Sequence, residues 1–170
     1  MVERDERLVF GAGSVCFPNR WDLQSKLGLS MSEVHEPVAL LYEQLGPVID
    51  DVLRRLTPDR PRWRLGWGVI DTDDLYQAVD GTAAPRPVDA PASAHHLRIE
   101  RETLRRFPRT NCVLFTIRTH QLPLPDLVDV DQMSAVALAD AIESMPVPIA
   151  EYKQLDRSGN QITDWLRSSA

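Results

Sequence analysis

The chain has 170 residues, of which 43% are hydrophobic and 26% are charged, a balance typical of one globular domain. Its net charge of −6 repels polyanions on average, so we expect no nucleic-acid partner. It has no apolar run of membrane-spanning length, and its first ten residues, MVERDERLVF, are too charged for a secretory signal. These two features predict a cytoplasmic protein without membrane attachment. Cys16 and Cys112 are far apart, which argues against a disulfide framework or a structural zinc site.

The first half of the chain shows a strand pattern followed by helix patterns. Leu8 to Phe17 is rich in β-branched and aromatic residues, which predicts a strand. Ser30 and Glu33 have the spacing of a helix capping box, and Pro37 predicts a helix end before it. The strongest helix pattern consists of apolar residues at helical spacing, namely Leu41, Leu45, Val48, Ile49, Val52, Leu53 and Leu56.

The second half predicts strands, a loop and late helices. Strands are expected at Trp63 to Ile70 and Cys112 to Leu122, with a short helix at Arg101 to Phe107 between them. Residues 80 to 94 are rich in alanine and proline and predict a mobile loop. Helices are expected at Met133 to Ile142 and near Ile162 to Arg167. This order indicates an α+β fold, and the absence of a glycine-rich phosphate loop argues against nucleotide binding.

The four histidines are candidate metal or haem ligands, although most histidines are ordinary polar residues. His95 and His96 follow the proline-rich loop and are expected to be exposed. His35 lies among apolar residues just before the strongest helix pattern. A neutral imidazole in apolar surroundings is a good iron ligand, because burial favours the uncharged form.

The strand from Cys112 to Leu122 places Arg118 and His120 on one face. An arginine among apolar neighbours predicts a nearby anion or ligand, while the alternative is an edge-strand arginine with its head group in water. A basic stretch precedes this strand and consists of Arg98, Arg101, Arg105, Arg106 and Arg109. It is interpreted as a solvated surface, a site for carboxylates such as haem propionates, or a docking face for an acidic electron donor.

Three blocks of the sequence resemble the haem-dependent oxidative N-demethylase alpha-subunit family. They are SVCFPNRWDLQSKLGLSMSEVHEPV (residues 14–38), WGVIDTDDLY (residues 67–76) and LRIERETLRRFPRTNCVLFTIRTHQLPL (residues 97–124). The blocks occur in the family's order, and a weaker similarity follows at EYKQL (residues 151–155). Strings as distinctive as CFPNRWDLQSKLG have no general structural reason to recur, so the resemblance is specific.

The resemblance implies a PAS-like fold, in which a five-stranded antiparallel sheet with helices on one side encloses a pocket for haem b. We expect a PAS-like haem-binding core over residues 1–125 and a C-terminal helical extension over residues 126–170 that packs on it. In the family, a longer segment precedes the CFPNRW block than the fifteen residues before Cys16 here, so we expect an N-terminally shortened relative.

The resemblance also implies site residues. In haem proteins of this fold the proximal histidine comes from the helical side, which points to His35 as the iron ligand, with Cys16, His96 or His120 as alternatives. A distal polar residue comes from the sheet, which points to Arg118 as a catalytic group, with His120 beside it. The remaining residues assigned to the cofactor pocket are Cys16, Trp21, Arg98, Arg101 and Phe115.

The function implied is that of a haem-dependent, oxygen-activating monooxygenase that oxidises a small amine, as an N-demethylase does. A flavin and iron–sulfur reductase is the implied partner that supplies electrons. A cationic group such as Arg118 would stabilise negative charge that develops on oxygen. The alternative is a non-catalytic haem sensor of the PAS type that responds to gas or redox state, and the short N-terminal segment motivates it.

Overall fold

The structure of the chain is a computed structural model, which describes residues 1–5, 7–38, 40–77, 79 and 90–170, without the side chain of Tyr42. The strands are β1 (Val2–Arg4), β2 (Arg7–Val9), β3 (Arg62–Ile70), β4 (His96–Arg106) and β5 (Val113–Pro123). The α-helices are α1 (Met31–His35), α2 (Leu41–Arg55), α3 (Leu124–Val130), α4 (Gln132–Glu143), α5 (Val147–Tyr152) and α6 (Gly159–Ser169). No helix in the described ranges is long and apolar enough to cross a membrane. Most of the loop predicted at residues 80 to 94 lies outside them.

The strands in the described part of the chain form two small sheets. β1 and β2 pair antiparallel, with Val2 opposite Val9, and β3, β4 and β5 form a separate sheet in that order. The α+β class is therefore confirmed. The predicted PAS-like sheet of five antiparallel strands, with helices on one side enclosing a haem pocket, is wrong.

Two local predictions are also wrong. The strand predicted from Leu8 to Phe17 ends at Val9, and the next residue, Phe10, exchanges backbone hydrogen bonds with Gly28 and Leu29 in a loop. The helix predicted at Arg101 to Phe107 is instead the second half of β4. β4 is hydrogen-bonded to a strand on each side, and this pairing overrides the weak helix preference of its charged residues.

The chain divides into two compact units. Unit 1 comprises Met1–Gly66, Leu75–Ala83 and Glu100–Thr119, and unit 2 comprises Trp67–Asp74, Ala84–Ile99 and His120–Ala170. The predicted division into a core over residues 1–125 and an extension over residues 126–170 stays a prediction.

Unit 1 has a small apolar cluster against α2. Its buried members are Met31, Leu53, Leu56 and Val113, and partly buried members are Met1, Leu8, Val34, Ile49 and Leu104. The predicted helix is confirmed in α2, which continues through Pro47. Burial of apolar side chains stabilises this unit, because each one removed from water contributes about 1.5–3 kcal/mol.

Unit 2 has the larger apolar cluster, built mainly from its helices. The buried members are Val69, Ala92, Leu97, Leu124, Leu127, Val128, Ala135, Leu138, Ala139, Ile142, Leu155, Ile162 and Leu166. The late helices predicted from the sequence are confirmed as α4 and α6, which pack against each other. On the surface, the Arg167 guanidinium of α6 pairs with Asp140 and Glu143 of α4, both at 2.7 Å.

Arg106 of β4 joins three parts of unit 1. Its guanidinium donates hydrogen bonds to the carbonyl oxygens of Leu53 and Leu56, at 2.7 and 2.8 Å. It also donates to the carbonyl and side-chain oxygens of Asn111, at 3.0 and 2.9 Å, in the connection between β4 and β5. The last carbonyls of a helix lack intrahelical partners and favour a nearby cation. Arg106 therefore fastens the end of α2 to the sheet.

Replacement of Arg106 by methionine should lower the free energy of unfolding by about 2 kcal/mol, because two helix-end carbonyls lose a charged donor. Arg105→Met is the matched control, since Arg105 is the exposed neighbour and its replacement should change stability by less than about 0.5 kcal/mol. Urea denaturation of both variants measures the difference. Equal losses in the two variants would contradict the role assigned to Arg106.

Candidate functional site

α1 carries the candidate iron ligand His35 in its last turn, and a capping box fixes its first turn. The Ser30 hydroxyl accepts a hydrogen bond from the Glu33 backbone N–H, and the Glu33 carboxylate accepts one from the Ser30 backbone N–H at 2.8 Å. Both the predicted capping box and the predicted helix end before Pro37 are confirmed. The side chain of Met31 is buried in the cluster of unit 1 and anchors the helix.

The imidazole of His35 is half-buried and has a defined tautomer. Its Nδ1 lies 2.8 Å from the carbonyl oxygen of Met31. A carbonyl oxygen can only accept a hydrogen bond, so Nδ1 carries the proton and Nε2 carries the lone pair of the neutral ring. Histidine metal ligands commonly show this arrangement, in which a hydrogen-bond acceptor beside the ring fixes its orientation. In this tautomer the lone pair lies on Nε2, the atom that a metal would require.

A cavity of about 320 Å³ lies in unit 1 and has aromatic and acidic walls. Its lining residues are Val15, Pro18, Trp21, Asp22, Leu23, Tyr76, Gln77 and Val79. Two backbone hydrogen bonds bring its walls together, from Arg20 N–H to the Gln77 carbonyl at 3.0 Å and from Gln77 N–H to the Pro18 carbonyl at 2.9 Å. Ring faces and a carboxylate attract organic cations, and the volume suits a small molecule.

Asn19 lies in the same segment as the cavity residues Pro18 and Trp21. Its side-chain oxygen is buried and has no hydrogen-bond partner among the described residues. Such atoms are uncommon and indicate a bound water or ligand. A second cavity, of about 450 Å³, is lined by residues of β1, β2 and the loop at Gly28, and it contains none of the predicted site residues.

A model of the family described as haem-dependent oxidative N-demethylase, alpha subunit-like, matches residues 1–163. The chain belongs to this family. The resemblance carried by the three sequence blocks is thereby confirmed, and the match includes α1, the cavity of unit 1 and the three-stranded sheet. The family's description names haem dependence and oxidative N-demethylation.

A haem requires fewer protein ligands than a bare metal ion does. No group of three or more histidine, cysteine, aspartate or glutamate residues suited to a metal ion occurs in the part of the chain that the structure describes. Haem iron is held by the porphyrin and needs only an axial protein ligand such as histidine. The half-buried His35 is a candidate for that ligand, and it lines neither of the two cavities described above.

The other predicted site residues are distributed over both units. Unit 1 contains Cys16, Trp21, His35, Arg101, Phe115 and Arg118, whereas unit 2 contains Arg98 and His120. Cys16 is a free, exposed thiol, and Phe115, Arg118 and His120 are exposed on β5. Arg98 is almost completely buried, with 1% of its surface exposed, and the Arg101 guanidinium lies 5.4 Å from the centre of the Trp63 ring. The roles predicted for these residues stay predictions.

The expectation of exposure is wrong for His95, which is buried. Its Nδ1 lies 3.1 Å from the Pro91 carbonyl, and its own carbonyl accepts a hydrogen bond from Leu124. The short helical turn before His95 packs Ala92 into the cluster of unit 2, and His95 is therefore buried beside it. His96 is half-buried, and its Nδ1 lacks a partner within the described ranges.

Sequence reasoning missed the aromatic and acidic cavity and the helix-capping role of Arg106. Trp21 and Tyr76 are separated by more than fifty residues, and no local pattern brings them together. The one available signal is that both lie in blocks that resemble the family, with Trp21 next to Asp22 and Tyr76 two residues after Asp74. For Arg106, the sequence indicates a charged strand residue and gives no indication of the helix end that it reaches.

The capping box also sets the charge state of Glu33. Hydrogen bonds from the Ser30 hydroxyl and then from the Ser30 backbone N–H lower the pKa of Glu33 below its ordinary value. Because the folded pKa is below the unfolded one, the stability contributed by Glu33 is complete above the unfolded pKa and is lost as pH falls through the folded value.

Replacement of Glu33 by glutamine should therefore destabilise the protein at about pH 7, and by less at an acidic pH low enough to protonate the wild-type carboxyl. Thermal unfolding at both pH values tests this. Glu36→Gln is the control, because Glu36 is exposed at the other end of α1. The same pH-dependent difference in both variants would rule out the capping box as its cause.

Proposed function

We propose that this chain is a haem b oxidoreductase that uses O₂ to remove a methyl group from a small amine. The observation that carries the proposal is the family match over residues 1–163, and the tautomer of His35 supports it. Haem b is favoured over a covalently attached haem, because the cysteines at positions 16 and 112 do not form the C-x-x-C-H attachment motif.

In this proposal Nε2 of His35 would hold the haem iron, and the Met31 carbonyl keeps the ring oriented. Bound haem supplies the capacity to activate O₂. The overall reaction converts an N-methyl amine, O₂, two electrons and two protons into the demethylated amine, formaldehyde and water. The electrons must come from a reductant, and we propose a flavin and iron–sulfur reductase as that partner.

We propose that the amine binds as a cation in the cavity lined by Trp21, Asp22 and Tyr76. The carboxylate of Asp22 accepts hydrogen bonds from the backbone N–H groups of Gln24 and Ser25, at 3.2 and 2.8 Å, which fix its position. A fixed carboxylate supplies the opposite charge, and the aromatic faces favour the methyl groups of an ammonium ion. Arg118 and His120 stay predicted distal groups.

The first test of the proposal is a hemin titration. Wild-type protein should bind one hemin per chain with a sharp Soret band that shifts after reduction with dithionite and addition of carbon monoxide. His35→Ala should abolish this spectrum because the axial nitrogen is lost, whereas His96→Ala and His120→Ala should retain it. A spectrum lost only in Cys16→Ala would move the ligand to that thiol. No stoichiometric binding to the wild type would contradict the proposal.

The second test concerns the amine cavity. Asp22→Asn keeps an oxygen that can accept hydrogen bonds and removes the charge, so it should weaken binding of dimethylammonium by about tenfold. Binding of a neutral molecule of similar shape, such as isopropanol, should change little. Isothermal titration calorimetry compares the two ligands, with Asp73→Asn as the control on an exposed residue outside the cavity. Equal weakening of both ligands would contradict a charge role for Asp22.

A further inference from the structure

One face of the sheet in unit 1 exposes apolar side chains together with arginines. Trp63, Leu65 and Leu114 are 63%, 57% and 43% exposed. The Arg101 guanidinium lies over the Trp63 ring, so β3 and β4 contribute to the same face. We call this surface the arginine face, and its residues are Trp63, Leu65, Arg101, Thr103, Arg105, Leu114, Thr116 and Arg118.

Strand alternation defines the arginine face. Leu104 and Val113 pack together in the cluster of unit 1, so they belong to the opposite face of β4 and β5. Side chains alternate along a strand, which places Arg105 and Leu114, the immediate neighbours of these two residues, on the arginine face. Leu114 is exposed while Val113 is buried, as this alternation requires.

β4 carries its two acidic residues, together with Arg98 and Arg106, on the face opposite the arginine face. Glu100 and Glu102 alternate with the arginines and so belong to the opposite face, where Glu102 pairs with Arg64. The arginine face contains three arginines and no acidic residue, although the chain has a net charge of −6. Exposed large apolar side chains grouped with charge of one sign are typical of a protein interface.

We propose that the arginine face binds an acidic protein partner. The exposed apolar side chains would form the centre of the contact, and Arg101 and Arg105 would pair with aspartates or glutamates around it. This inference goes beyond the proposed function and does not depend on haem binding.

Other occupants fit these observations less well. Two copies that met through this face would bring their arginines together. Nucleic acids and anionic membranes are bound mainly through many basic side chains, and three arginines provide few of them. Cofactor sites are concave, whereas this surface is an open sheet face, and neither cavity described above includes its residues.

The test uses the full-length chain without haem and a plant-type ferredoxin as the probe, because it is a small acidic protein. Isothermal titration calorimetry should show binding that weakens as salt rises. Trp63→Ala and Arg105→Glu should each weaken it by about tenfold, since an exposed aromatic anchor and a rim charge are lost. Val130→Ala and Arg157→Glu are the matched controls, because both residues are exposed in unit 2, and they should have no effect.

Several outcomes would overturn the inference: no measurable binding of ferredoxin, equal weakening by the face and control variants, or stronger binding to single-stranded DNA or phosphatidylserine vesicles. Loss of hemin binding in Trp63→Ala and Arg105→Glu, with ferredoxin binding unchanged, would assign the face to the cofactor instead. Circular dichroism confirms that each variant is folded. Since hemin and ferredoxin are titrated separately, failure of this inference and failure of the proposed function give different results.

Discussion

The guanidinium of Arg106 donates hydrogen bonds to the carbonyls at the end of α2 and also to the connection between β4 and β5. The position of α2 determines where Leu53 and Leu56 lie, and these side chains form the cluster that buries Met31 of α1. Met31 in turn supplies the carbonyl that holds Nδ1 of His35. The candidate iron ligand therefore depends on a series of contacts that starts at Arg106, 71 positions away.

Local features of this unit could be predicted from the sequence, and long-range ones could not. The apolar period of α2 and the spacing of Ser30 and Glu33 are properties of neighbouring residues, so the helix and its capping box were predictable. The bonds of Arg106 connect residues about fifty positions apart, and the walls of the cavity come from segments separated by a similar distance. Neither arrangement leaves a periodic signal in the sequence.

The predicted sheet failed because strand pairing is also a long-range property. The sequence around Arg101 permits either a helix or a strand, and two neighbouring strands decide in favour of the strand. The segment after Val9 has suitable residues for a strand but bonds to the loop at Gly28 and Leu29. This error does not affect the family identification, because that identification rests on whole blocks of sequence and is confirmed over residues 1–163. A family can thus be identified correctly while the fold inferred from it is wrong.

The central claim is that the fold holds the ring of His35 in one tautomer, with the lone pair on Nε2, before any cofactor binds. Long-range proton–nitrogen NMR spectra of the haem-free protein, labelled with ¹⁵N-histidine, test it directly at about pH 8, where imidazole is neutral. The account predicts a protonated Nδ1 and an unprotonated Nε2 for the resonance that disappears in His35→Ala. A protonated Nε2 in the folded protein would contradict it.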